Sequence, residues 1–328
     1  MRGTIRKILV ITLAAGALQL TGCQYRSKSD VYYLVAPNQG VAYWSAVKEG
    51  FHQAATEYGV TPYVVGPDGY DPGAEADAFS KAVARRPAGI LVSVADAGAL
   101  RDDIASAISA GIPVITVDSD APFSQRLYFI GTDNLAVGHL GGKRLVQRLH
   151  GKGNVVVYTI PDQPNMEERL KGYQDILGEN SGIRIVEIIS TQGDSANAFD
   201  ETEKLVHKTG KDKVDGFVCL DSTCAAAVAE VLKRSNLTDR VLIGMDAGAD
   251  TLDLIQQGVV DSTISQKPYT MGYLGLKALD EAHHAQNKSF KSTYITDPRS
   301  PFPAFVDTGS ELITKENVTL LLKPEIPK

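Results

Sequence analysis

Residues Ala99 to Asp120, ALRDDIASAISAGIPVITVDSD, carry the pattern that decides the fold. Apolar residues recur at helical spacing from Ala99 to Ala110, and Gly111 follows where a left-handed cap is needed. Pro113 to Val117 is then a continuous apolar run of strand length, closed by Asp118-Ser119-Asp120. A strand that is apolar throughout, without alternation, is covered on both faces, as in a parallel sheet flanked by helices. The same unit recurs along the chain. Strands are predicted at Val31–Ala36, Val60–Val65, Gly89–Val94 and Tyr128–Gly131, then at Asn154–Thr159, Arg184–Ile189, Gly216–Leu220, Val241–Met245 and Ser262–Gln266. Helices are predicted at Ala42–Tyr58, Ala74–Arg85 and Asn134–Leu149, with Gly59 and Gly210 as further caps and Asp or Ser at helix starts. The class is α/β, and some ten strands exceed one ordinary doubly wound sheet. We therefore divide the chain near Asp133 into two similar, doubly wound parallel-sheet lobes.

The amino terminus reads differently. Arg2, Arg6 and Lys7 precede an apolar run from Ile8 to Leu20 that ends in Leu20-Thr21-Gly22-Cys23. A span of the bilayer needs about 20 apolar residues, so this shorter run reads as a cleaved export signal. Its Leu-x-Gly-Cys junction is similar to that of bacterial lipoproteins, which makes Cys23 the lipidated residue and places the protein in the periplasm or on the outer face of the cell membrane. Residues 1–22 are the expected signal peptide and 23–30 a polar tether.

Removal of residues 1–22, which hold three basic and no acidic residues, leaves 30 Lys and Arg against 39 Asp and Glu, a net charge of −9. Nucleic acid is an unfavoured partner for such a chain. Of the three cysteines, Cys219 and Cys224 remain beside Cys23. The compartment permits a disulfide between them, but a strand interior and the following helix seldom bring their Cβ atoms within bonding distance. Two packed, reduced thiols are expected.

Open α/β sheets bind ligands outside the carboxyl ends of their strands, so those ends are the candidate site. They carry Asn38 and then Tyr43-Trp44 after the first strand, Asp118 and Ser119 after the fourth, and in the second half Asn165 to Arg169, Asp194, Asp221, Asp246 and Gln266. Groups that exchange paired hydrogen bonds, beside flat aromatic faces, suit a ligand with many hydroxyls and apolar C–H faces. Each residue also has a plainer role open to it. Asp118, Asp221 and Asp246 could cap helices, Tyr43 and Trp44 could be core, Arg169 could pair with Glu167 or Glu168 in solvent, and Gln266 could open a turn before Pro268.

Taken together, Tyr43-Trp44-Ser45-Ala46-Val47-Lys48-Glu49-Gly50, Gly111 to Asp118, Ile130-Gly131-Thr132-Asp133-Asn134, Glu168-Arg169-Leu170-Lys171-Gly172-Tyr173, Gly244-Met245-Asp246 and Gln266-Lys267-Pro268 resemble the periplasmic ribose-binding-protein family, in order and spacing, over nearly the whole mature chain. The resemblance implies two lobes joined by a three-strand hinge, the type 1 periplasmic binding fold. Its expected lobes are 31–133 with 266–290, and 134–265 with 291–328. It also implies a sugar in the cleft, sandwiched by Tyr43 and Trp44, with hydroxyls bound by Asp118, Arg169, Asp246 and Gln266. Ribose binders have Asn, Arg and Asn where this chain has Val41, Ser119 and Asp221, so another pentose, a hexose or a cyclic polyol is equally expected, with Asn38 or Gln39 replacing a missing amide.

The implied function is that of a monomeric substrate-binding lipoprotein of a sugar ABC transporter, whose partners are the small-molecule ligand, the permease and the membrane, with no cofactor and no metal. A sensory protein of the same fold, reading a non-sugar ligand, is the alternative. Repressors that share the fold begin with a helix-turn-helix, whereas this chain begins with an export signal. No Ser/His/Asp arrangement, metal-ligand spacing or phosphate-cradling loop points to an enzyme, and His283-His284 read as an exposed helical pair.

Overall fold

A computed structural model of the chain describes residues 26–285 and 297–322. The signal peptide, Cys23 and the first residues of the tether lie outside them. Among the described residues, no helix is long and apolar enough to cross a membrane.

Two six-stranded sheets form the frame. The first contains β1 (Val31–Val35), β2 (Thr61–Val65), β3 (Gly89–Val92), β4 (Val114–Val117), β5 (Phe129–Gly131) and a late strand β11 (Phe305–Asp307), in the order β11-β5-β4-β3-β1-β2. The second contains β6 (Gly153–Thr159), β7 (Ile183–Ser190), β8 (Gly216–Cys219), β9 (Val241–Met245), β10 (Ser262–Ser265) and β12 (Glu311–Thr314), in the order β12-β10-β9-β8-β6-β7. All neighbours are parallel except β12, which runs antiparallel to β10. The central strands β3, β4, β8 and β9 are buried along their whole length, which is why they read as unbroken apolar runs.

Helices α1 (Tyr43–Tyr58), α2 (Pro72–Ala84) and α3 (Ala97–Ser109) follow β1, β2 and β3, while α4 (Asn134–Arg148) crosses into the second lobe. There α5 (Pro164–Gly178), α6 (Ser195–Leu205), α7 (Cys224–Arg234) and α8 (Ala249–Gln257) follow β6, β7, β8 and β9, and α9 (Pro268–His284) returns to the first lobe. Asp71, Asp96, Asp133 and Asp194 accept first-turn N–H groups as N-caps. Gly59 is a left-handed C-cap, as expected. Gly210 is not: α6 ends at Leu205 with Val206 as its cap, and Gly210 opens a short 3-10 turn.

Each lobe is clasped by a glycine-mediated helix pair. A Cβ on Gly50 of α1 or Gly272 of α9 would fall 2.0 Å from the carbonyl of Tyr269 or Val47, and one on Gly138 of α4 would fall 2.2 Å from that of Arg169 in α5. The chain passes between lobes three times, at residues 132–133, 266–267 and 308–310. The expected partition is corrected at its end. Residues 305–307 join the first sheet beside β5, and only β12 belongs to the second, because the tail pairs with the open edge of one sheet before returning to the other.

The cysteine expectation is also corrected. Cys219 and Cys224 are bonded, with an S–S distance of 2.03 Å and Cα atoms 5.6 Å apart. The strand ends at Cys219 and the tight turn at Asp221 brings the first residue of α7 back beside it.

Candidate functional site

Both sheets point their carboxyl ends at a cleft between the lobes. Its outer part has a volume of about 880 Å³ and narrows to an inner chamber of about 60 Å³. Asp118 follows β4 and Asp246 follows β9, the fourth strand of each lobe, so the two carboxylates occupy equivalent places. Both adopt left-handed backbone, with φ of +63° and +69°. Such strain in a non-glycine residue is tolerated by aspartate better than by most side chains, and it turns each carboxylate off its strand into the cleft.

Arg169, projecting from the second turn of α5, is 1 % exposed. It does not pair with Glu167 or Glu168. Its guanidinium donates to Asn134 Oδ1 (2.8 Å), to the Leu220 carbonyl (2.8 Å) and to Gln266 Oε1 (3.0 Å). Gln266 in turn donates through Nε2 to Asp246 Oδ1 at 2.9 Å. Asn134 and Gln266 adjoin two of the three interlobe passages, so this one side chain ties the site to the hinge.

On the opposite wall, the Tyr43 hydroxyl donates to Asp118 Oδ1 (2.7 Å), and Ser93 and Asn165 Nδ2 reach Asp118 Oδ2 at 3.3 Å. The Asn165 bond is an interlobe contact. Asp221 Oδ1 accepts from the Thr223 backbone N–H (2.7 Å), which braces the turn enclosed by the disulfide. None of Asp118, Asp221 and Asp246 caps a helix.

Burial governs the charges. It pushes Asp246 up to about 7, against the attraction of Arg169 and with repulsion from Asp118 and Asp221 in the same direction. Asp118 is likewise raised by burial, opposed by Arg169 and by its hydroxyl donors, and Tyr43 is held well above the ordinary tyrosine value, first by burial and then by Asp118. The buried oxygens Gln163 Oε1 and Asn165 Oδ1, on residues lining the inner chamber, have no hydrogen-bond partner. Buried acceptors of this kind are costly unless something donates to them. The chamber is thus equipped to accept from hydroxyl groups and, through Arg169 and the amides, to donate to them.

Asn38, Tyr43, Trp44, Asp118, Arg169, Asp221, Asp246 and Gln266 all line the inner chamber. Ser119 does not. The turn around Asp118, in which the Ser119 N–H donates to the Val117 carbonyl at 2.6 Å, directs Ser119 away and leaves it fully buried. Gln39 is also elsewhere, its amide donating to the Gly66 carbonyl at 2.7 Å. Trp44 and Tyr43 meet edge to face, with ring planes at 87°, so they are not the two walls of a slot. Asn165, at the strand end before Arg169, also lines the chamber as expected, whereas Tyr70 and Gln163 line it without having been singled out. Tyr70 follows β2 and Gln163 follows β6, so a stricter reading of strand ends could have found them.

Comparison with known proteins agrees with this architecture. Residues 32–288 match the family described as periplasmic binding protein domain. The chain is 25% identical over 254 residues to the xylose/arabinose-binding protein XylF of Sulfolobus acidocaldarius, covering 72% of this chain and 59% of that protein. It is 24% identical to the ribose import binding protein RbsB of Bacillus subtilis, covering 60% of this chain and 63% of that protein. The match thus spans about three fifths of the length of both relatives. An ABC transporter solute-binding protein of Burkholderia graminis, solved in complex with D-arabinose, superposes with a TM-score of 0.81 at 25% identity, covering 89% of this chain and 97% of that one. With the family matched from the first strand to the end of α9, the chain belongs to the periplasmic binding protein family, a family of solute-binding proteins and not of enzymes.

Proposed function

We propose that this protein captures a monosaccharide or polyol between its lobes and presents the closed form to an ABC transporter permease, while acyl chains on Cys23 hold it outside the cell membrane. The observation that carries the reading is the inner chamber, where Asp118, Arg169, Asp246 and Gln266 converge beside Trp44 and two buried amide oxygens stand without donors. A polyhydroxylated ring offers both the missing donors and an apolar face for the aromatic pair. The arabinose-, xylose- and ribose-related names of the similar proteins favour a pentose or a close analogue.

Closure follows from the bonds. The direct Asn165 to Asp118 contact joins the lobes across the chamber, and a ligand inserted there exchanges it for bonds to each side. The closed form is then favoured because the ligand touches both lobes only in that state. Arg169, bonded to residues at two hinge passages, moves with them.

The test is calorimetric titration of the mature protein with pentoses, hexoses, polyols, nucleosides and amino acids. One pentose, hexose or polyol should bind, and Trp44→Ala should weaken it about tenfold or more, a loss of ~1.4 kcal/mol or above. Binding confined to nucleosides or amino acids, or a sugar bound equally well without Trp44, would overturn the reading.

A further inference from the structure

We propose that Asp30, His283 and His284 form a binding site for a divalent transition-metal ion of the zinc type at the base of the first lobe. The site lies at the amino end of β1, whereas the cleft opens beyond its carboxyl end. Five strand residues, about 17 Å at ~3.3 Å each, separate the two.

One carboxylate oxygen and one nitrogen from each imidazole lie within 4.8 Å of one another. The geometry of His284 is the most telling part. Its Nδ1 is 2.9 Å from the Asp280 carbonyl, which can only accept, so Nδ1 donates there, and in the neutral ring Nε2 is the nitrogen left with a lone pair. That lone pair faces Asp30 Oδ2 across 3.5 Å. A proton on Nε2 makes this contact an ion pair, and a metal ion would take that proton's place: ligands of a tetrahedral ion bound at ~2.1 Å stand roughly 3.4 Å apart, close to the distance seen. A histidine whose second ring nitrogen is fixed by a backbone carbonyl is the usual arrangement of a metal ligand.

The surroundings supply the rest. The Ser27 N–H donates to Asp30 Oδ2 at 2.9 Å and steadies the carboxylate. The Arg26 guanidinium is occupied by Asp280 at 2.6 Å, so its charge is balanced locally. The His283 ring stands at 87° to that of His284, with centroids 4.9 Å apart, so the two do not stack and exclude an ion. Asp30 and His284 are each 16 % exposed, which leaves an open coordination position for water. Two nitrogens and one oxygen suit zinc or a similar borderline ion over magnesium or calcium, which take oxygen ligands. An ion here would pin the segment leading from the amino terminus onto the last turn of α9.

Untagged mature protein, stripped with chelator, is titrated with zinc chloride, with magnesium and calcium chloride as controls. One saturable zinc site is expected, weakened at least ~10-fold by His283→Ala and by Asp30→Asn and unchanged by His52→Ala, an exposed residue of α1. In the unsubstituted protein, cobalt chloride should give the intense visible bands of a tetrahedral ion, a readout that does not depend on any variant folding. No saturable zinc binding, binding indifferent to both substitutions, or only the faint spectrum of octahedral cobalt would each overturn the proposal. Ligand binding in the cleft is scored separately and is expected to be the same with and without zinc.

Discussion

Replacing Asp246 with Asn should make the empty protein more stable at alkaline pH while weakening the ligand. Asp246 is raised from 3.8 to about 7, mainly by burial. A carboxyl raised in this way holds a proton in the native state that the unfolded chain has released. Its contribution to stability is therefore full below about pH 4, falls as pH rises, and is lost once pH passes about 7. Three pH units at 1.36 kcal/mol each give a cost of at most about 4 kcal/mol at pH 8. Asparagine removes the titrating group, keeps an oxygen for Gln266 Nε2, and is at ease at the backbone φ of +69°. Thermal unfolding at pH 4 and pH 8 in the absence of ligand reads the effect directly. A midpoint gain of several degrees at pH 8 that vanishes at pH 4 is expected, at ~2 °C per kcal/mol for a chain of this size. Ligand affinity should fall roughly 10-fold or more at pH 8, since a charged acceptor is replaced by a neutral one. A variant destabilised equally at both pH values would show that the carboxylate is favoured by its surroundings and that the burial argument is wrong.

Two further substitutions probe how the site is held. Cys219→Ser with Cys224→Ser opens a loop of about six residues and should cost about 2 kcal/mol in denaturant melts by chain entropy. Affinity should drop as well, because Asp221 and Thr223 lie inside that loop, and an unchanged affinity would mean the turn is set by its hydrogen bonds alone. Gly138→Ala puts a methyl 2.2 Å from the Arg169 carbonyl, so α5 must shift. A stability loss of ~1–3 kcal/mol with weaker ligand binding is expected, whereas a stability loss with full affinity would separate the helix contact from the placement of Arg169.

The fold was legible where burial is complete. Strands such as β4 and β8 must be apolar on both faces, and nothing else in the chain shares their short unbroken runs. β11 and β12 escaped because they are three and four residues long, partly exposed, and at sheet edges, where no periodicity has room to develop. Within the site, Asp118 and Asp246 stood out because a parallel sheet delivers the residue after each strand to one rim. Ser119 was misjudged by the same rule, since a left-handed turn at Asp118 sends consecutive side chains in opposite directions. The disulfide was missed because its closure depends on a turn at Asp221 that spacing does not reveal.

The three passages between lobes also set an order of completion. The first sheet begins at Val31, yet Leu276 and Leu279 of α9, both fully buried, pack into the same core. A chain emerging amino terminus first, from a ribosome or through a translocation pore, cannot seal its first lobe until this late helix is free. The second lobe, begun later, has all but its last edge strand by residue 265. Neither lobe is closed until the tail arrives, since β11 completes the first sheet and β12, with its buried Ile313, the second, so a truncation at the far end of the gene would damage the beginning of the protein as well as its end.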